Sequence, residues 1–125
     1  MRSIEIPATS SSPLIRFEPS TATLTLSGES FPENSFEFYD PVLGWLKEAL
    51  AALDALRVEI SISYMNSSST KCMLDLLDIL EEAHGRGATV SVLWRYSPEN
   101  PRALDLAEEF QEEVTFEFGI VPLEA

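Results

Sequence analysis

Apolar and polar positions change rhythm several times along the chain, and each change marks an element. Leu14–Phe17 and Ala22–Leu26 read as two short strands joined through Pro19-Ser20. In the second, Ala22, Leu24 and Leu26 share one face, and Thr23 and Thr25 the other. A dense loop follows, Gly28-Glu29-Ser30-Phe31-Pro32-Glu33-Asn34. Asp40-Pro41 then gives an N-cap and a first-turn proline, and Val42, Leu46, Ala49, Leu50 and Leu53 recur at helical spacing. From Arg57 to Tyr64 the pattern is strictly alternating: Val58, Ile60, Ile62 and Tyr64 face one way, and Arg57, Glu59, Ser61 and Ser63 the other. A second helix is expected from about Thr70 to His84, with Met73, Leu77, Leu80 and His84 along one stripe and Gly85 and Gly87 ending it. Thr89–Tyr96 is another strand. Asn100-Pro101 repeats the cap-and-proline signal for a third helix to about Gln111, and Val114, Phe116, Phe118 and Ile120 alternate in a last strand.

The order is therefore ββαβαβαβ. Strand–helix–strand units require parallel neighbours and right-handed crossovers. Strands covered on both faces are apolar throughout, whereas these alternate, so the fold class is α/β with a mixed sheet and helices packed mainly on one face. No repeat or long linker interrupts it, and residues 1–125 read as a single domain. Ser10 to Pro13 is a short polar stretch near an N-terminus expected to be mobile.

Charge narrows the function. Eight Lys+Arg stand against 21 Asp+Glu, a net charge of −13. Such a surface repels phosphate backbones and anionic headgroups, which argues against nucleic acid or membrane as a partner. No apolar stretch approaches a membrane span, and the start of the chain lacks the apolar core of a secretory signal. With one cysteine, Cys72, there is no internal disulfide to form, and a cytoplasmic location is expected.

The chemistry concentrates at Tyr64-Met65-Asn66-Ser67-Ser68-Ser69-Thr70-Lys71, where four hydroxyl residues lie between the end of a strand and the start of a helix. Helix N-termini favour phosphate, and crevices at the carboxyl ends of parallel strands are the usual place for function. On local sequence alone capping is the favoured account of such residues, but one hydroxyl suffices for a cap, and the other three have no assigned task. Elsewhere the sequence offers little. Cys72 has no nearby histidine to pair with, since His84 falls at the far end of the same helix. His84 itself fits a structural part in the last turn. Metal-ligand spacings and nucleotide cradles are missing, so no cofactor and no catalytic group is expected. Trp45 and Trp94 read as core, as do most of the rings among Phe31, Phe36, Phe38 and Tyr39.

Four segments together resemble one family: the loop Gly28-Glu29-Ser30-Phe31-Pro32-Glu33-Asn34, the junction Tyr64-Met65-Asn66-Ser67-Ser68-Ser69, the run Met73-Leu74-Asp75-Leu76-Leu77-Asp78 and the helix end Glu81-Glu82-Ala83-His84. They look like the SiaC family of bacterial regulatory phosphoproteins, with a fold similar to the anti-sigma-factor-antagonist (STAS) type. The likeness extends from Ile6-Pro7-Ala8-Thr9 to Ala107-Glu108-Glu109-Phe110. It implies a partner switch. The resemblance implies that the hydroxyl residue directly after the junction asparagine, here Ser67 where a family member carries threonine, is the phosphoacceptor. A dedicated kinase adds the phosphate and a metal-dependent phosphatase removes it. The unphosphorylated form binds and stimulates a diguanylate cyclase, which raises cyclic di-GMP and promotes aggregation or biofilm formation. The expected docking surface comprises Glu29, Phe31, Glu33, Asn34, Asn66, Ser67, Ser68, Ser69 and Lys71. Two other classes compete. One is a small-ligand-binding domain using the Ser67–Thr70 loop; the other is a small hydrolase, which would need a base beside its serine.

Overall fold

The computed structural model describes residues 3–123. The expected domain limits, residues 1 and 125, lie outside the described residues. Six strands form one sheet: β1 (Glu5–Ile6), β2 (Leu14–Glu18), β3 (Thr23–Ser30), β4 (Ala55–Met65), β5 (Thr89–Tyr96) and β6 (Glu117–Pro122). Three helices connect its parallel part: α1 (Ser35–Ala52), α2 (Ser67–Gly85) and α3 (Ala103–Glu112). The spatial order is β1-β2-β3-β4-β5-β6, antiparallel as far as β3 and parallel from β3 onward. The mixed sheet is as expected, with one strand more. β1 has only two residues, too few for alternation to reveal it.

Taking parallel strands in sequence order through right-handed crossovers puts every helix on the same face. Register makes that face continuous. Phe17, Leu24, Val58, Val92 and Phe118 are aligned across five strands, and Ile15, Leu26, Ile60, Trp94 and Ile120 form the next row. The helices bury Val42, Leu46, Met73, Leu76, Leu77 and Ala107 against these rows. On the opposite face, Glu59 is shared by Arg57 (3.1 Å) and Arg95 (2.8 Å). That leaves a polar surface without a helix, as the alternation implies.

Two local expectations need correction, the helix starts and the facing at the end of β4. α1 begins before its Asp40-Pro41 signal, capped by Asn34 with Pro41 inside it; α2 begins before Thr70, capped by Asn66; and α3 starts at Ala103, after its Asn100-Pro101 signal. The strict alternation of β4 fails at its end. The register with β3 shifts between Gly28 and Glu29, which pair with Ile62 and Tyr64, so Ser63 is an extra, bulged residue. The bulge reverses the parity: Tyr64 is turned out to 53 % exposure and Met65 is turned in. The polar stretch before β2 is held by local bonds. Thr9 Oγ1 accepts from the backbone N–H of Ser12 at 3.0 Å, Phe31 N–H donates to the Ser11 carbonyl at 2.8 Å, and Ser12 and Pro13 are buried.

Candidate functional site

Because β3 and β4 are parallel neighbours, the helices that follow them start side by side at the carboxyl edge of the sheet. Asn34 Oδ1 accepts from the Glu37 N–H at 3.1 Å, and Asn66 Oδ1 accepts from the Ser69 N–H at 2.9 Å. The two capped termini are stitched together below the surface. Tyr39 and Ser30 hydroxyls are 2.6 Å apart, Ser30 donates to Ser69 Oγ at 2.9 Å, Ser69 and Ser35 are 2.9 Å apart, and Ser35 reaches Asn66 Oδ1 at 3.3 Å. A hydroxyl has one proton to give, so the chain of donations runs from Tyr39 to Ser30, Ser69, Ser35 and the Asn66 carboxamide without a conflict. Ser68 joins from the rim, donating to Ser35 Oγ at 3.0 Å. Among the described residues no buried side-chain polar atom is left without a partner.

This network sorts the four junction hydroxyls. Ser69 is fully buried, so it is removed from the expected docking surface and serves the interior instead. Thr70 Oγ1 donates back to the Asn66 carbonyl at 3.1 Å, and Ser68 is half-buried. Ser67 stands outside the network at the first position of α2, exposed to solvent. The cap is Asn66, so none of the four hydroxyls is spent as the cap.

The surroundings of Ser67 are partly apolar. Phe31 and Tyr64 meet edge to face with ring centres 5.7 Å apart, both exposed, and Phe36, 51 % exposed, lies beside Ser68 on the α1 side. The expectation that most of the loop rings are core therefore divides: Tyr39 is buried and Phe38 partly so, whereas Phe31 and Phe36 are displayed. Glu29, Glu33 and Asn34 are exposed around the rings, and Lys71 is exposed one turn into α2. The other candidates stand apart. Cys72 is buried, and burial pushes its thiol up, away from thiolate chemistry. His84 is exposed at the far end of α2 near Phe116. Burial likewise pushes the Tyr39 phenol up to about 12, partly opposed by its bond to Ser30. Sequence reading passed over Ser30 and Ser35. Their signal was faint: single serines on either side of a loop whose own turn chemistry explains serine equally well.

Comparison with known proteins gives this geometry a lineage. The family described as SiaC family regulatory phosphoprotein matches residues 6–123. The chain belongs to the SiaC family. An uncharacterised protein of Pseudomonas aeruginosa (strain UCBPP-PA14) is 41 % identical over 121 residues, 96 % of each chain. A solved structure of SiaC from Pseudomonas aeruginosa superposes with a TM-score of 0.90 at 40 % identity, covering 98 % of this chain and 100 % of that one. A crystal structure of the diguanylate cyclase SiaD in complex with its activator SiaC, from the same organism, contains a chain that matches with a TM-score of 0.91 at 40 % identity, covering 96 % and 99 %. The SiaC-family fold accounts for the mixed sheet and its three helices. Among the described residues no helix is long and apolar enough to cross a membrane.

Proposed function

We propose that this chain is a phosphorylation-controlled activator of a diguanylate cyclase, with Ser67 as the phosphoacceptor. A serine/threonine kinase and a metal-dependent phosphatase set its state in the cytoplasm, and cyclic di-GMP output governs aggregation or biofilm formation. In this reading the chain works by binding and carries no catalytic group of its own. The observation that carries the proposal is the division of labour at the junction: Ser68, Ser69 and Thr70 are engaged by hydrogen bonds, whereas Ser67 is exposed at the start of α2. The relationship to SiaC, solved bound to SiaD, supports the choice of target. Glu29, Phe31, Glu33, Asn34, Asn66, Ser68 and Lys71 surround the acceptor and form the proposed docking surface.

A phosphate on Ser67 adds about −1.5 to −2 charges. If that surface is covered in the complex, the phosphate must shed water against a partner shaped for a hydroxyl, and about 1.4 kcal/mol of penalty is already tenfold in affinity. The test has two parts. Phosphopeptide mapping after treatment with the cognate kinase should place the phosphate on Ser67; phosphate mainly on Ser68 or Thr70 would refute the assignment. Titration calorimetry against the cyclase should show Ser67→Ala binding like the parent and the phosphorylated protein binding at least tenfold more weakly; equal affinities would refute the switch.

A further inference from the structure

A cleft of about 690 Å³ lies between the end of β4, the start of α2 and the start of α3. Tyr64, Ser67 and Thr70 line one side, and Asn100, Arg102 and Asp105 the other, with Glu109 one turn farther along α3. Arg102 is the single cation among these lining residues. The chain spends most of its positive charge elsewhere. Arg16, Arg57, Arg86 and Arg95 are each within ion-pair distance of a glutamate. Among the described residues Lys47, Lys71 and Arg102 make no such pair, and two of those three flank Ser67. Lys71 is four residues along the same helix, where side chains one turn apart are neighbours. Arg102 and Ser67 line the same cleft, one from the start of α3 and the other from the start of α2.

The position of Arg102 is itself built. The bulge at Ser63 lets a backbone carbonyl escape the ladder, and Asn100 Nδ2 donates to it at 3.0 Å. The same carboxamide accepts the Arg102 N–H through Oδ1 at 3.0 Å. One side chain thus ties the turn before α3 to the end of β4 and fixes the backbone from which the guanidinium projects. Asn100, expected to cap α3, is occupied in this way instead, and Arg102 takes the cap position without a side-chain cap bond.

The geometry points to Arg102 as the residue that reads the phosphate from within the chain: once Ser67 is phosphorylated, Arg102 clamps the phosphate across the cleft, with Lys71 beside it, and ties the start of α3 to the start of α2. A guanidinium suits this task because its planar fork engages phosphate oxygens in pairs. Asp105 and Glu109 oppose the contact by repulsion, so the clamp is a balance set by Arg102 and Lys71. The inference rests on Ser67 being the acceptor, and it adds a second effect of phosphorylation, internal to the chain and independent of any partner.

The test uses the full-length chain with phosphoserine installed at position 67 by genetic encoding, so that it does not depend on a kinase's choice of residue. Phosphorus NMR then follows the second ionisation of the phosphate, ordinarily near pH 6. The titratable and charged groups around it are Tyr64 on β4, Arg102 at the cap of α3 and Asp105 and Glu109 on α3, all lining the cleft, with Lys71 one turn along α2 beside it. Arg102→Gln should raise that midpoint by a few tenths of a unit, Arg102→Lys should recover part of the difference, and the gap should narrow in high salt. Hydrogen exchange should show added protection of the Asn100–Ala103 turn on phosphorylation in the parent and not in Arg102→Gln. Midpoints for the parent and Arg102→Gln within about 0.1 unit of each other, with unchanged protection, would overturn the clamp. Phosphate mapping elsewhere than Ser67 would instead refute the acceptor assignment, so the two failures are distinguishable.

Discussion

At the scale of the residue, the buried hydroxyl chain is where small substitutions should be felt most. Ser69→Ala takes away the oxygen between Ser30 and Ser35, both buried, and a buried polar group deprived of its partner costs about 1–3 kcal/mol. Urea denaturation should register that loss, whereas Ser67→Ala should leave the midpoint within the usual surface range of about 0.5 kcal/mol. Tyr39 adds a dependence on pH. Its phenol titrates near 12 in the folded protein against an ordinary value of 10, so the unfolded chain releases this proton first as pH rises. The stabilisation is complete below pH 10 and is lost between 10 and 12, amounting to roughly 2–3 kcal/mol. Tyr39→Phe should cost about 1 kcal/mol at neutral pH through the lost bond to Ser30, yet show a shallower alkaline decline. Parallel stability curves for the two proteins between pH 9 and 12 would contradict this account. Sequence alone gives no access to these effects, because the four hydroxyls come from β3, α1 and α2 and meet through packing.

Among the secondary-structure elements, helix starts show how far local chemistry can be read. Asn66→Ala removes the cap of α2 together with the acceptor used by Ser35, so its cost should lie at the upper end of the 0.5–2 kcal/mol typical of caps. Asn34→Ala removes an exposed cap and should lie near the lower end; a thermal melt series in which Asn34→Ala is the more damaging would count against the network. Pro41 sits six residues beyond the first residue of α1, where it cannot donate to the preceding turn. A proline inside a helix costs about 3 kcal/mol relative to alanine, and its restriction of the unfolded chain returns up to about 1. Pro41→Ala should therefore stabilise the protein by roughly 2 kcal/mol, and a lowered urea midpoint would show that this proline is accommodated without cost. The strands and their facing were legible because the exposed sheet face enforces alternation. The helix starts were not, because Asp40-Pro41 and Asn100-Pro101 carry the local signature of a start, while the real caps of α1 and α2 are Asn34 and Asn66. At Ser63, one bulged residue undid the facing expected for Tyr64, since period-two reading has no means of detecting an extra residue.

For the molecule as a whole, phosphorylation and folding should be nearly independent. Ser67 lies at the sheet's carboxyl edge, away from the two apolar rows that hold the helices, and the start of α2 offsets part of the new charge by about 0.3–1 kcal/mol. The chain already carries −13, so a further −2 adds modest self-repulsion. Calorimetric melts of the phosphorylated and unmodified protein should agree within a few degrees at physiological salt; a fall of ten degrees or so would mean that the phosphate reaches the core. The site was legible to the same extent as this independence. The proposed location and acceptor are those that the hydroxyl run and the family likeness suggest, but the exposed pair Phe31 and Tyr64 depends on a bulge, and Arg102 comes from a segment more than thirty residues away in the chain. That Ser67 contributes nothing to the buried bonds has a consequence for inheritance. Replacing that one codon can turn the proposed acceptor into threonine, alanine or asparagine while every cap and core contact is kept. Under the proposed function, descendants can thus silence the switch, or re-address it to another kinase, without first acquiring compensating substitutions.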